Sequence, residues 1–395
     1  MRIQLTREAT IPDPLRLARY ERLPELGPRI LFFSGGTALR GVSREIIRYT
    51  HNTIHLITPF DSGGSSAKLR EAFHMPAVGD VRNRLMALAD TSLTGNPAIF
   101  AFFSHRFPKN AENASLHQEL DRMARGRQRL VNKIPDPMRK LIRNHLRRFQ
   151  HHMPQDFDLR GASMGNLVLT GGYLNNRRQI DPVIYLFSKL VQVRGEVRPV
   201  VNNDVHLAAD LDNGETIVGQ HNMTGKETAP LDSPIRELRM VKSLEDPRPA
   251  SAKLRKKRIE LIRKAELICY PMGSFFTSLL ANLLPEGVGR AVAGNPCPKL
   301  FIPNTGHDPE LLGHTVQDQI DMLADRLVRD DPGRITPDDV LTHVLLDARD
   351  KRYPGLQLKQ IVRKGFAPVS AQLASSRSEP LLDARLTAQA LMSLV

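Results

Sequence analysis

The stretch Arg29-Ile30-Leu31-Phe32-Phe33-Ser34-Gly35-Gly36-Thr37 decides how this chain is read. A short apolar run that stops at two glycines reads as a buried strand ending in a tight turn. Beyond the turn, Leu39, Val42, Ile46 and Ile47 recur at helical spacing, and Thr53-Ile54-His55-Leu56-Ile57-Thr58 reads as a second strand. Strand, glycine turn, helix and strand make a βαβ unit, which requires a parallel sheet with a right-handed crossover.

The alternation resumes downstream. Val197–Val201 and Val205–Ala209 read as strands, and Asp212-Asn213-Gly214 is a hairpin turn from which Thr216-Ile217-Val218 returns. A basic helix over 253–265 leads into strand Leu267-Ile268-Cys269-Tyr270, a Gly-Ser turn, a helix through Leu284 and strand Lys299-Leu300-Phe301-Ile302. Ala98–Phe103 is apolar but too short to separate strand from helix. The expected fold is α/β, a doubly wound, mostly parallel sheet with a basic helical insertion at about 105–158. Residues 1–28, with Pro12, Pro14 and Pro24, read as a lead-in. Residues 29–350 read as the main domain, and 351–395 as a C-terminal segment packed on it.

The 395 residues are 41% hydrophobic and 25% charged, which excludes wholesale disorder and collagen-like structure. Two cysteines, Cys269 and Cys297, exclude a disulfide framework and a zinc site built from cysteine alone. No apolar run reaches the roughly 18 residues that span a bilayer, and Met1–Pro14 lacks the apolar core of a signal peptide. The expectation is a cytoplasmic protein without membrane association. Its net charge of +14 attracts phosphates of any kind. The charge is concentrated in 121–150, where ten Lys or Arg stand against Asp121 and Asp136. Met138, Leu141, Ile142, Leu146 and Phe149 mark one apolar helical face there, so the segment reads as an amphipathic helix covering the core, with an acidic partner on its basic face as the alternative.

Three motifs carry chemistry. Ser34-Gly35-Gly36-Thr37 lies at the carboxyl end of a strand and before a helix, where open α/β sheets bind phosphate. Asp61-Ser62-Gly63-Gly64-Ser65-Ser66, followed by Lys68 and Arg70, brings a carboxylate, hydroxyls, glycines and cations to the same edge, suiting a metal-assisted phosphate site. Gly79-Asp80-Val81-Arg82-Asn83 opens a helix, with Asp80 placed as an N-cap. Two further patterns are discounted. Gly161-Ala162-Ser163-Met164-Gly165 fits a hydrolase elbow, but the polar Gln155–Arg160 precedes it where an apolar strand is needed. Gly219–Lys226 has one residue too many between its glycines for a P-loop, and Glu227 stands where Ser or Thr would bind the metal. His307 with Asp308 and His314 with Asp318 read as loop and helix residues rather than metal ligands.

In order, these motifs resemble the CofD-like family, which includes 2-phospho-L-lactate transferase of deazaflavin coenzyme synthesis and a gluconeogenesis-factor branch that binds UDP-sugars. Gly161–Leu167 matches a Gly-x-Ser-x-Gly-Asn-Leu element of that family, and Pro271-Met272-Gly273-Ser274-Phe275-Phe276-Thr277-Ser278 matches its Gly-Pro-Gly-Ser-x-x-Thr-Ser block. Asn304 and Gly313–Asp318 fit as well. The sequence most resembles the CofD-like proteins associated with the so-called GAK system.

The resemblance implies a Rossmann-like core and a nucleotide-dependent transferase. It would move a phosphoryl-linked group from a nucleoside-diphosphate-type donor to a hydroxyl, releasing a nucleoside monophosphate with the help of Mg2+. Asp61 and Asp80 would be catalytic, with Asp61 on the metal. Gly35, Gly36, Thr37, Gly63, Gly64, Ser65, Ser66, Arg70, Arg82, Asn83, Asn166, Gly273 and Ser274 would hold the nucleotide and its phosphates. The resemblance also implies a homodimer. The chain departs from the family pattern at Ala38, which replaces a glycine, at Met272, and at Ser62, where the family loop usually carries a second acid. That last departure favours the alternative, a UDP-sugar-binding regulator without turnover.

Overall fold

The computed structural model describes residues 8–91, 95–225, 228–349, 353 and 355–395. Seven strands form one sheet: β1 (Ile30–Ser34), β2 (Ile54–Ile57), β3 (Glu196–Pro199), β7 (Leu267–Tyr270), β8 (Lys299–Phe301), β9 (His343–Asp347) and β10 (Ala367–Ala371). Their order is β10-β9-β8-β7-β1-β2-β3, and every neighbouring pair is parallel. β4 (His206–Leu211), β5 (Thr216–Val218) and β6 (Ile235–Val241) form a separate antiparallel sheet in the order β5-β4-β6. The segment 205–209 therefore belongs to this small sheet and not to the main one.

Central parallel strands are covered on both faces and read as continuous apolar runs. Every residue of β1, β2 and β7 is buried. Alternation along β1 divides the core. Leu31 and Phe33 pack with Leu56, Ile268 and Tyr270 on one face, while Ile30 and Phe32 pack with Val42, Ile46 and Cys269 on the other. The chain runs outward from β1 to β2 and β3, then returns to the opposite side of β1 and continues through β7 to β10. This reversal between β1 and β7 opens a crevice at their carboxyl ends, where ligands bind in doubly wound sheets.

The undecided run 98–103 is helical, within Pro97–Ser104, and the Asn96 side chain caps it by accepting the Ile99 N–H at 3.1 Å. In the basic insertion, helix Met138–His152 packs against helix Met164–Asn175 and buries Ile142, Leu146 and Phe149. A Cβ at Gly171 would lie 2.0 Å from the His145 carbonyl oxygen, so this glycine permits the close crossing. Leu141, expected on the apolar face, is exposed, as are Lys140, Arg147 and Arg148. Arg143 instead donates to the Ala124 and Arg125 carbonyls at 3.1 and 2.8 Å, closing the C-terminus of helix Asn113–Ala124.

β10 adds to the sheet edge beside β9, and helix Ala384–Ser393 packs on helix Arg40–Ile46. The helix expected through Leu284 begins as a wide π-helix, Phe275–Leu280, before an α-turn at Ala281–Leu283. The cause is local. Glu310 accepts the Phe276 and Thr277 N–H groups at 3.0 and 2.8 Å, and Asp308 accepts that of Phe275 at 2.9 Å. Among the described residues no helix is long and apolar enough to cross a membrane.

Candidate functional site

A cleft of about 450 Å3 opens at the carboxyl edge over the β1–β7 reversal. Gly35, Gly36, Thr37 and Ala38 line it from the turn after β1, and Thr58 from the end of β2. Asp61, Gly63, Gly64, Ser65 and Ser66 come from the next loop and helix Gly64–Phe73. Gly79, Asp80, Arg82 and Asn83 come from helix Gly79–Ala87, Asn166 from helix 164–175, and Gly273 and Ser274 from the turn after β7. Of the residues expected to hold phosphate or to act chemically, all but Arg70 meet in this cleft.

Close backbone approach explains the glycines. A Cβ at Gly35 would lie 2.5 Å from Thr58 Oγ1 and 3.0 Å from Ser278 Oγ, and one at Gly79 would lie 2.8 Å from Ser66 Oγ. Gly36 adopts φ 54°, and its N–H donates to Asp80 Oδ2 at 2.8 Å. Asp80 is thus not the N-cap that its position suggests. That place is taken by Val78, which has no side-chain cap, and the carboxylate reaches across to the β1 turn.

Gly64 and Ser65 occupy the first turn of their helix, where N–H groups have no intrahelical acceptor and favour an anion. Asp61 Oδ1 accepts the Gly63 N–H at 3.1 Å and so fixes the loop leading into that turn. The π-helix after β7 offers no such site, since Asp308 and Glu310 occupy its first N–H groups. Asn304 fixes the turn before it by accepting the Gly273 N–H at 2.9 Å and donating to the Gly273 carbonyl at 2.6 Å.

Positive charge enters from one side. Arg82 donates to Ser163 Oγ at 2.8 Å and to Asn83 Oδ1. Burial, Arg106 and Arg40 together push its pKa down to about 10, against the opposing pull of Asp80. A buried guanidinium with other cations close by is a charge that a bound anion would relieve. Arg106 also lines the cleft, with its guanidinium on the Gly161 carbonyl. Ser163 is fully buried beneath Arg82, which removes it as a hydrolase nucleophile.

Arg70 lies elsewhere. It is 3% exposed, and its guanidinium donates to Phe60 O at 3.1 Å, Val205 O at 2.7 Å and Asp204 Oδ1 at 2.9 Å, pinning the loop below the cleft. Lys68 is paired with Asp158 at 2.7 Å. His314 Nε2 lies 3.0 Å from the Ile235 carbonyl, and Asp318 forms a capping box with Thr315, so neither joins a metal pair. Lys226 and Glu227 of the discounted P-loop lie outside the described residues.

Reading the sequence missed Arg106, Gln220, His221 and Thr224, and gave no role to Thr277 and Ser278 of the matched block, all of which line the cleft. His221 explains Ser62. That residue is 3% exposed, its Oγ lies 2.9 Å from His221 Nδ1, and it accepts the His221 N–H at 3.3 Å. Where a second acid was expected, a hydroxyl instead joins the loop to helix Gln220–Met223.

Among the described residues no group of three or more His, Cys, Asp and Glu could cage a metal ion. Mg2+, however, is usually held through one or two carboxylates together with substrate phosphates. Asp61 and Asp80, in a cleft with the first-turn amides of Gly64 and Ser65, fit that donor set.

Comparison with known proteins agrees with this architecture. The B. subtilis (strain 168) protein named gluconeogenesis factor is 28% identical over 298 residues, covering 75% of this chain and 74% of that protein. Its counterpart in Halalkalibacterium halodurans is 26% identical over 317 residues, covering 80% and 77%. A putative gluconeogenesis factor from Nostoc is matched over only 51% of its length. The crystal structure of a UPF0052-family protein from Bacillus halodurans superposes with a TM-score of 0.67 at 22% identity, covering 93% of this chain and 99% of that one. The family model described as 2-phospho-L-lactate transferase CofD matches residues 30–381, and the chain belongs to that family.

Proposed function

We propose that the cleft binds a nucleoside-diphosphate-type donor and transfers its distal phosphoryl-linked group to a hydroxyl acceptor. One observation carries the reading: the first-turn amides of Gly64 and Ser65, the cations Arg82 and Arg106, and the carboxylates Asp61 and Asp80 converge at the reversal between β1 and β7. The amides and arginines hold the pyrophosphate and neutralise its charge. The acceptor oxygen bonds to the distal phosphorus, and the bridging P–O bond breaks. The nucleoside monophosphate leaves with the bridging oxygen, while the hydroxyl proton passes to Asp80. Asp61 would hold a divalent cation, which when bound spreads the charge of the phosphate oxygens.

A second reading, a UDP-sugar-binding regulator without turnover, is favoured by one feature. Ser62 offers a buried hydroxyl bound to His221 and adds no second loop carboxylate beside Asp61.

The test combines turnover and binding. The purified protein is incubated with magnesium, a guanosine diphospho-lactate donor and a deazaflavin, and GMP release is followed. The transferase reading expects magnesium-dependent release, abolished by Asp61→Asn while GDP still raises the melting temperature. Saturating ligand at a hundredfold excess over its dissociation constant adds about 2.7 kcal/mol of apparent stability. No release, with a UDP-sugar shift indifferent to magnesium, would replace the transferase by the regulator.

A further inference from the structure

Helix Met138–His152 turns Ile142, Leu146 and Phe149 inward and leaves Lys140, Arg147 and Arg148 exposed on its other side. Positions seven and eight apart share a helical face, so these three cations point the same way. Three more stand beside them. Arg143 donates to the Ala124 and Arg125 carbonyls, and Arg139 to the Asn132 carbonyl at 3.5 Å, which lays segment 124–133 along one flank of the helix. Arg127, Arg129 and Lys133 are exposed on that segment.

None of these six side chains makes a hydrogen bond or an ion pair among the described residues. The two acids of the segment are taken by other arginines: Asp121 pairs with Arg125 at 2.8 Å and Asp136 with Arg139 at 2.9 Å. Like charges fixed on one surface repel, and an anionic partner relieves that repulsion.

The character of the face selects the partner. Of the large hydrophobic side chains in 121–152 only Leu141 is exposed, at 38%. Protein interfaces are centred on buried apolar or aromatic anchors, and single strands stack their bases on aromatic rings. A helix lying in a membrane surface needs a free apolar face, whereas here that face is covered by helix Met164–Asn175. Recognition by charge remains. Duplex DNA carries one negative charge per about 1.7 Å of axis. Lys140 and Arg147 stand two turns apart, about 10 Å along the helix, close to the roughly 12 Å width of the B-DNA major groove. The major groove of duplex RNA is deep and narrow and does not match that span. Four of the six cations are arginine, whose planar fork pairs with phosphate through two hydrogen bonds.

We propose that this face docks on the phosphate backbone of duplex DNA. Helix 138–152 lies across the major groove, with Lys140 on the phosphates of one rim and Arg147 and Arg148 on those of the other. Arg127, Arg129 and Lys133 extend the contact along one strand. Phosphate contacts position a protein without reading bases, so the docking is independent of sequence and of what occupies the cleft.

The experiment follows the fluorescence anisotropy of a labelled DNA duplex of about two helical turns as the full chain is added, between about 50 and 200 mM salt. Six phosphate contacts give log affinity a slope of about −5 against log salt. Lys140→Gln/Arg147→Gln/Arg148→Gln should bring the slope to about −2.5 and weaken binding at least about tenfold at the low-salt end, with the melting temperature held. Arg127→Gln/Arg129→Gln/Lys133→Gln should act alike, and it decides the matter if the first variant fails to fold. A duplex of different sequence should bind within about twofold. Inorganic pyrophosphate, added at constant ionic strength as a probe for the cleft, should displace no DNA. Failure of the wild type to bind duplex DNA at about 50 mM salt would overturn the proposal. So would an unchanged slope in the variants, displacement by pyrophosphate, or tighter binding to duplex RNA, single strands, polyglutamate or anionic vesicles than to duplex DNA.

Discussion

Asp80 Oδ2 accepts the Gly36 N–H at 2.8 Å across 44 residues of sequence, so the turn after β1 is held by the first turn of a helix beyond β2. Asp80→Ala leaves that amide without its acceptor, and a hydrogen bond to a charged group contributes about 1.5–3 kcal/mol. Urea unfolding should show a loss of that order, together with weaker nucleotide binding. Asp80→Asn keeps an acceptor and should retain most of the stability while losing turnover. Equal stability loss in both variants would contradict the role given to the oxygen.

Gly35→Ala places a Cβ 2.5 Å from Thr58 Oγ1 and 3.0 Å from Ser278 Oγ. Overpacking of this kind costs about 1–3 kcal/mol. The double variant Gly35→Ala/Thr58→Ala removes the nearest clash and should regain part of the loss. A thermal melt in which the double variant is simply the sum of the two singles would show that the clash is not the cause.

Burial, with Asp308 beside it, raises the Glu310 carboxyl from its usual value near 4.5 to about 8. In that window the folded protein holds a proton that the unfolded chain has released. Stability through this group is therefore greatest below the usual value and is lost as pH rises towards 8. Glu310→Gln mimics the protonated acid and still accepts the backbone N–H groups. Urea midpoints measured from pH 5 to 8 should show wild type declining relative to this variant. A constant difference across the range would sink the prediction.

Arg143 and its basic neighbours should separate cleanly. Arg143→Ala removes two hydrogen bonds to the carbonyls that end helix 113–124, at an expected cost of about 1–2 kcal/mol. Arg147→Gln and Arg148→Gln alter exposed side chains and should stay within about 0.5 kcal/mol of wild type. Calorimetric melts of the three variants decide it, and indistinguishable melts would remove the capping role.

The parts of the fold that sequence made legible are those where local pattern and burial agree. β1, β2 and β7 are apolar throughout because both faces are covered, and the glycine turns after them announce themselves. β6, by contrast, sets exposed Arg236 and Glu237 side by side between buried Ile235 and Leu238, and its charges hide a strand that pairs with β4. β9 and β10 were equally silent, the latter half-exposed at the sheet edge. In the site, residues on β1, β2 and their turns were readable because a strand end fixes their edge. Arg106 and His221 come from segments that only tertiary packing brings to the cleft. Arg70 misled because it stands one helical turn beyond Ser66 on the same face. That turn carries it past the cleft to Asp204 and Val205.

Asn304 grips both the N–H and the carbonyl of Gly273, much as one nucleic-acid base reads another. Gly273 stands at φ 148°, a conformation that few other residues would hold, and the amide of a neighbouring segment keeps it there without help from any guest. The cleft wall at this turn is therefore finished before a molecule arrives. Association need not stiffen this part of the chain, so the entropic penalty of docking falls on the guest and its displaced solvent. Crystals grown with and without ligand should superpose at this hinge-free corner, leaving selectivity to shape that already exists.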